Sequence, residues 1–403
     1  MTLWLIILRS LRQHALSTII TALSIALAGG LLMSVWIVKV QSQATFTGVN
    51  GGFDAILGAR GSKLQLVLNS IFHLENSPGN VSAADYLDIK KNPSVALAIP
   101  IAVGDNYHGY RLVGTVPEMF EKVEYAPGKH YELEAGGHFF GDATNHEAVV
   151  GSFVAQKMGL KMGDTFHPYH GLIFNEKEQH ADTYVVSGVM KPSNTPSDRV
   201  IWIPLEGIQK MSGHDPKMAT DVSAVLVKLK GGGMTGIRMD MMYNRQGDRL
   251  TFAWPIGATM ADLFSKISWF DKVLALVSYL VALVATGSIL ASIYNSMNER
   301  RREIAILRAL GARRRIIFGA IILEAAAISA LGMVVAFVFY WAIMTGAAAV
   351  IRAQTGIVLE PFKFNMVMLW APAALITLGA LAGVVPAVKA YRTDVAGNLV
   401  PAS

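Results

Sequence analysis

Asn298-Glu299-Arg300-Arg301-Arg302-Glu303-Ile304-Ala305-Ile306-Leu307-Arg308-Ala309-Leu310-Gly311-Ala312 follows one long apolar run and precedes another. Ile304, Leu307 and Leu310 recur at helical spacing with arginines on the other face, which predicts a short amphipathic helix. Glu299 and Glu303 are four residues apart and share a face. Gly311 is a natural C-terminal stop. A basic amphipathic helix of this kind either lies on anionic lipid or docks into a groove on a soluble partner. Seven arginines fall between Glu299 and Arg315, a density that marks a cytoplasmic loop under the positive-inside rule.

Working outward from this loop, four apolar runs are long enough to span a bilayer, which takes about 20 residues. They are Ser17 to Val38, Val273 to Ile293, Ile316 to Ile351 and Met366 to Val388. The third is over-long and predicts tilt, a kink near Gly332 or Gly346, or a helix that projects beyond the lipid. The first exceeds the roughly 7–15 residues of a secretory h-region and has no clean small-x-small cleavage site behind it, so it is expected to be a retained anchor. Arg9 and Arg12 precede the first run, and Lys389 and Arg392 follow the fourth. Both termini are therefore expected in the cytoplasm, with the region between the first two spans outside.

Composition agrees with a membrane protein. Of 403 residues, 52% are hydrophobic and 16% charged, against roughly 25% charged in a soluble domain, and the mean hydropathy is +0.40. Low hydrophobicity with high net charge, the signature of disorder, is excluded. The formal net charge of +6 does not point to nucleic acid, because of where the charge lies. Residues 42–265 hold 23 acidic and 19 basic side chains, while the rest of the chain holds 6 acidic and 16 basic. The basic excess belongs to the membrane part. The absence of cysteine removes disulfides, thiolate metal sites and cysteine nucleophiles together.

Several motifs fail. Gly58-Ala59-Arg60-Gly61-Ser62-Lys63 lacks the spacing of a phosphate-binding Gly-x-x-x-x-Gly-Lys-Ser/Thr loop. No Gly-x-Ser-x-Gly elbow and no His-Glu-x-x-His is present. The chain is expected to be neither an ATPase nor any other enzyme, with no cofactor of its own.

The stretch Glu299 to Ala312, placed after an apolar span, resembles the hallmark of the FtsX/MacB/LolC-type permeases of ABC transporters (type VII, mechanotransmitting). The resemblance extends to Leu323-Glu324-Ala325 early in the third span, where the family has an acidic residue. It also takes in the closing Pro386-Ala387-Val388-Lys389-Ala390-Tyr391-Arg392 and the lead from Leu11 to Ala28 into the first span. In the outer region, Glu147-Ala148-Val149-Val150-Gly151, Ala155 and Gly159-Leu160-Lys161-Met162-Gly163-Asp164-Thr165-Phe166 are similar to the MacB/LolC-type periplasmic domain. Two departures are small: Ala305 stands where the family has Gly, and Asp394 is followed by Val395 rather than Pro.

The resemblance implies that Glu299, Arg300, Glu303, Ile304, Leu307, Arg308, Gly311 and Ala312 couple to a separate ABC ATPase, present in two copies, which binds ATP and Mg²⁺. Four spans are few for an ABC assembly, so a second copy of the chain is expected, as a homodimer. Membrane lipid surrounds the spans, and a periplasmic lipoprotein or efflux component is the further class of partner; nucleic acid is not one. The first two spans are expected to act as levers, driving export or extraction of a lipoprotein, peptide or other amphiphile at the outer side of a bacterial inner membrane. An alternative is ATPase-linked signalling to a periplasmic partner without transport. Transport of a metal-linked cargo is a lesser alternative, and a stand-alone sensor lacks a cytoplasmic output domain.

Two further groups of residues stand out. Glu324 lies nine residues past Arg315, about 13 Å along a helix. An ionisable group at that depth is either functional or satisfied by a neighbouring helix. Nine of ten histidines lie in the outer region, and His167-Pro168-Tyr169-His170 with His180 offers imidazoles for zinc or copper. The simpler reading of these histidines is solvated side chains in a polar domain.

The fold class expected is therefore membrane α-helical, with four transmembrane helices and a large extracytoplasmic α+β domain between the first and second. The parts are 1–41 (an N-terminal amphipathic helix and first span), 42–265 (a MacB-like periplasmic domain with a subdomain inserted at about 118–218) and 266–403 (the FtsX-like permease domain). Strands are expected at Phe53 to Leu57, Val95 to Val103, Tyr110 to Thr115, Thr183 to Val189, Val200 to Ile203 and Ala224 to Leu229. Helices are expected at Ser82 to Lys90, capped by Ser82 with Asp85 at the box position, at Gly151 to Gly159 and at Met234 to Tyr243. Trp254, Phe264, Trp269 and Phe270 are expected to form an aromatic cluster at the outer interface.

Overall fold

A computed structural model of the chain describes residues 3–141, 146–213, 220–299 and 312–391. Among the described residues, four helices are long and apolar enough to cross a membrane: Ala15–Gly48, Ser268–Asn295, Arg314–Thr355 and Val367–Lys389. A large α+β domain lies between the first of them and the rest. The chain divides into two compact units. One is Met1–Gln41 with Ser268–Ala349 and Glu360–Ser403; the other is Ser42–Ile267 with Val350–Leu359.

The membrane unit begins with the helix Leu3–Gln13, which the chain leaves at His14 before the first span. The spans share one core that includes Ile25, Met33, Ile37, Ile289, Ile328 and Met333. Lipid tails are as apolar as leucine, so burial alone does not drive helices together in a bilayer; close packing of small residues does. Gly332 shows this. A Cβ there would sit 2.8 Å from Ile25 Cβ and 2.9 Å from the Ala22 carbonyl oxygen, so the first and third spans meet backbone to backbone. Gly379 makes room between the fourth and third spans for the Ser329 side chain, which a Cβ there would overlap. The third span runs unbroken from Arg314 to Thr355. Its 42 residues make about 63 Å of helix against roughly 30 Å of hydrocarbon. Gly332 serves contact rather than a kink. Gly383 interrupts the fourth span, between the helices Val367–Ala382 and Val384–Tyr391.

Among the described residues the outer unit has ten strands: β1 (Ala55–Ala59), β2 (Val95–Tyr107), β3 (Tyr110–Thr115), β4 (Glu147–Val150), β5 (Thr165–Phe166), β6 (Tyr169–His170), β7 (Tyr184–Val189), β8 (Ile201–Pro204), β9 (Ala224–Leu229) and β10 (Leu250–Ala253). The order is β10-β1-β9-β2-β3-β8-β4-β7-β5, with β6 pairing β2 off this path. The β3–β8 and β4–β7 pairs are parallel; the other pairings are antiparallel.

The thirteen-residue β2 serves two partners in turn. Val95 to Ile101 pairs β9, and Ala102 to Tyr107 pairs β3. Its first half packs over a core with Leu57, Val225, Val227 and Phe252, and its second half leads into a core with Leu112, Val150, Tyr184 and Ile201. His108 and Gly109, both at positive φ, close the two-residue β2–β3 hairpin. The helix Ala83–Lys91 is capped by Ser82, whose Oγ accepts from the Asp85 amide at 3.2 Å.

Strands β4, β5, β6 and β10 and the helices Lys63–Ser70 and Ile256–Lys266 lie where no regular element was expected. The aromatic residues foreseen as one interfacial cluster take separate roles. Trp254 packs over Gly236 inside the outer domain, where a Cβ would meet its ring. Phe264 faces Phe46 at 5.8 Å between centroids, and Trp269 meets Phe270 edge-on at 5.9 Å. The segment Val350–Leu359 belongs to the outer unit. Arg199 donates to the Gln354 carbonyl oxygen, and Gly356, at φ +74°, packs on Pro196 and Arg199.

Candidate functional site

Of the segment expected to couple to an ATPase, Arg300, Glu303, Ile304, Leu307, Arg308 and Gly311 lie outside the described residues. Glu299 is the last residue of the second-span helix, and Ala312 stands two residues before the third-span helix begins at Arg314. Arg392, Asp394, Val395 and His214 also fall outside the described residues.

Glu324 is half-buried in the third span, where its Oε1 accepts a hydrogen bond from the hydroxyl of Ser10. Ser10 is itself buried on the N-terminal helix, so the carboxylate ties that helix to the third span. Sequence offered Glu324 as a candidate but gave no sign of Ser10, which lies 314 residues away. Ser17 and Ser292 share a hydroxyl hydrogen bond of 2.7 Å between the first and second spans. Lys389 lies over the Tyr294 ring at 3.9 Å from its centroid and bonds its hydroxyl.

In the outer domain a second group assembles around Asp105. An irregularity between Val103 and Asn106 shifts the β2 register, and Asp105 then stands opposite His170 of β6. Asp105 is fully buried. Its Oδ1 lies 3.1 Å from His180 Nε2 and 3.4 Å from His170 Nδ1. The three candidate donor atoms fall within 4.8 Å of one another, and the two imidazole rings meet nearly at right angles, 5.4 Å between centroids.

The backbone under this group is well held. Asn106, also fully buried, donates from Nδ2 to the Gly171 carbonyl at 2.9 Å and accepts from the Gly109 amide at 2.9 Å, which fixes the strand end carrying His170. The His180 amide donates to the Pro168 carbonyl at 2.9 Å, and its ring Nδ1 donates to the Ser212 carbonyl at 2.6 Å. His180 is buried, while the His170 side chain is 53% exposed. His170 also lines an open cavity of about 300 Å³, with Asn80, Gly104, Gln209, Asp221 and Ser223 on its walls.

Of the three histidines singled out in the sequence, His170 and His180 come together and His167 does not join them. The His167 Nδ1 instead bonds the Asp182 carbonyl oxygen at 3.1 Å, with Thr183 Oγ1 at 3.4 Å. Asp182 forms a separate polar node. Burial works to raise its pKa, but hydrogen bonds from the Ser212 hydroxyl and amide and from His146 outweigh burial and hold the carboxyl below its ordinary range. Sequence reasoning missed Asp105, because it is one acidic residue in a strand 65 positions from His170. Only the β2–β6 register brings them together.

Another buried histidine lies elsewhere in the outer domain. His73 follows the helix Lys63–Ser70 at φ +54° and stacks edge-on against Trp202, 5.8 Å between centroids. Burial, with the nearby Arg111 and Arg199, pushes its pKa down to about 3. Tyr131, buried and bonded to Ser197 at 2.9 Å, is pushed up to about 12, chiefly by burial.

The family model for the MacB-like periplasmic core domain matches residues 17–235, and the model for the FtsX-like permease C-terminal domain matches residues 275–395. Among solved structures, the chain is similar to the extracellular domain of the ABC-type transporter YknZ from Gram-positive bacteria. That match has 16% identity and a TM-score of 0.31, and covers 49% of this chain and 98% of that one. It is also similar to the periplasmic region of MacB from Actinobacillus actinomycetemcomitans, with 11% identity and a TM-score of 0.34, covering 56% of this chain and 98% of that one. No curated protein sequence matches the chain.

Proposed function

We infer the function from one premise: the chain belongs to the family of ABC-type permeases that join a MacB-like periplasmic core domain to an FtsX-like permease domain. It is a multi-pass membrane protein with a periplasmic domain, and the family's permease is the transmembrane component of the transporter and not its ATPase. We propose that a separate ATPase, in two copies, docks on the segment 299–312 of a permease homodimer. ATP and Mg²⁺ bind that partner, and both termini of the permease face the cytoplasm.

Closure of the ATPases then moves the 299–312 segments, and the first two spans carry the movement outward as levers. The cargo is handled at the outer side of the inner membrane as a lipoprotein, peptide or other amphiphile.

The observation that carries this reading is the length of the helices. The first span runs without a break from Ala15 to Gly48, about 51 Å, and the helix Ser268–Glu299 adds about 48 Å. Both exceed the roughly 30 Å of hydrocarbon they cross, so each can act as a rigid rod beyond it. The close packing at Gly332 and Gly379, and the satisfaction of Glu324 by Ser10, favour a solid bundle over a water-filled pore.

The test is affinity purification from native membranes in mild detergent, with mass spectrometry of the co-purifying proteins. An ATPase subunit should appear with the intact chain and be lost from the Glu303→Ala/Arg308→Ala double variant. If no ATPase appears under conditions that preserve the chain's own oligomer, the permease reading of this chain fails.

A further inference from the structure

We propose that Asp105, His170 and His180 form an exchangeable site for a zinc-class divalent metal ion on the outer domain. The site stands on these residues alone and does not rest on the transport reading above.

Zinc bonds to imidazole nitrogen and carboxylate oxygen at about 2.0–2.2 Å, and a tetrahedral arrangement then sets neighbouring ligand atoms roughly 3.3 Å apart. The two separations to Asp105 Oδ1, 3.1 and 3.4 Å, bracket that spacing. All three donor atoms lie within 4.8 Å of one another, so a small rotation of the half-exposed His170 ring is enough to bring them onto one ion.

The Ser212 carbonyl oxygen can only accept, so His180 Nδ1 donates in that 2.6 Å bond, and Nε2 is turned toward Asp105 Oδ1 at 3.1 Å. A ring nitrogen held by a backbone carbonyl, with its other nitrogen aimed at a shared centre, is how metal-ligating histidines are oriented from behind. Asn106 and the Pro168 carbonyl supply equivalent support to the strand end and to the His180 backbone.

Access decides what kind of metal site this is. Structural zinc sites are closed by four protein ligands, whereas sites that exchange or present their ion keep a position open. Here three protein ligands converge, and the half-exposed His170 opens on the cavity of about 300 Å³. That cavity gives the ion a route in and leaves the fourth position to water or to a donor group on a bound ligand. Two imidazoles and one carboxylate suit zinc, and also copper or nickel, better than magnesium or calcium, which prefer all-oxygen shells.

The competing account is a metal-free imidazolium–carboxylate pair that serves packing only. The experiment uses the full-length chain in detergent, purified through a tag without histidine and stripped with a chelator. It is titrated with Zn²⁺ against a chromophoric competitor and with Co²⁺ by visible absorption. The site predicts one saturable Zn²⁺ per chain, with cobalt bands characteristic of tetrahedral coordination. The variant His170→Ala removes a half-exposed ring and is expected to fold; it should weaken Zn²⁺ binding by roughly tenfold or more. His180→Ala should do the same, and His167→Ala should leave binding unchanged. No saturable binding would overturn the proposal in favour of the packing pair, as would binding that survives both the His170 and His180 substitutions.

Discussion

The two units of this protein are held together in different ways. In the membrane unit, cohesion comes from what is missing: no side chain stands at Gly332, where helix backbones close to contact, or at Gly379, whose place the Ser329 side chain takes. In the outer unit it comes from bulk, with Trp202, Tyr184, Phe140 and Phe252 fully buried around a ten-stranded sheet. Polar chemistry divides along the same line. The outer unit buries Asp105, Asn106, His73, His180 and Asp198, whereas the interiors of the spans carry the carboxylate Glu324 and little else that ionises. Burying an ionisable group costs free energy unless it is paired or neutralised. The membrane unit is thus suited to keeping its shape while it moves. The outer unit is where the buried ionisable groups concentrate.

The largest effect expected on this contrast lies in the cytoplasmic loop. The Glu303→Ala/Arg308→Ala variant should insert and fold normally but lose ATPase association by on the order of tenfold or more, as expected for truncated interface anchors. Retained association at wild-type affinity, measured by titrating the purified ATPase, would place coupling elsewhere.

Next comes acid sensitivity of the outer unit. The pKa of His73 is near 3 in the folded chain and about 6.5 unfolded. Below pH 6.5 the unfolded state takes up a proton that the folded state refuses. This contribution to stability is therefore fully present above pH 6.5 and is lost as pH falls towards 3, at about 1.4 kcal/mol per unit. Tryptophan fluorescence during denaturant unfolding of the full chain should follow that loss, and His73→Leu should flatten it over the same window.

Packing in the membrane unit gives a smaller effect with an internal control. Gly332→Val should destabilise the detergent-solubilised chain by about 1–3 kcal/mol through overpacking against Ile25 and Ala22. Gly346→Val lies on the same helix with nothing within 4 Å of the new Cβ, and thermal unfolding should barely register it. Equal shifts at the two positions would show that close approach is not what holds the third span. The smallest effect is expected at Ser10→Ala, about 1 kcal/mol or somewhat more for a hydrogen bond to a carboxylate, read in the same thermal assay. Glu324→Gln, which keeps a hydrogen-bond acceptor for Ser10, should cost less than Ser10→Ala.

The two units were also unequally legible in the sequence. Spans announce themselves, because a bilayer demands one long apolar run for each crossing; all four helices lie where hydropathy places them, and the first three extend further at both ends. Strands β3 and β9 match the expected Tyr110 to Thr115 and Ala224 to Leu229 residue for residue. Strand β10 is only four residues long, and two-residue β5 and β6 are too short for any period to register. Their existence depends on partners far along the chain. The Asp105 group was half legible for this reason: imidazole at His170 and His180 could be suspected from clustering, while the carboxylate they share is set by strand register. The Glu324–Ser10 bond was hidden in the same way, since helix spacing reports neighbours three or four residues away and not a contact across 314.

The central claim is mechanical: ATP turnover on a partner subunit moves the outer unit through the spans. The absence of cysteine allows clean spin labelling at two exposed positions introduced as Lys129→Cys in the outer unit and Lys363→Cys in the membrane unit. Pulsed electron resonance on the complex with its ATPase, in lipid nanodiscs, then reads the distance between them. The account predicts that the distance distribution shifts when ATP is trapped on the ATPase, and that Glu303→Ala/Arg308→Ala abolishes the shift. An unchanged distribution in a complex that is hydrolysing ATP would contradict it.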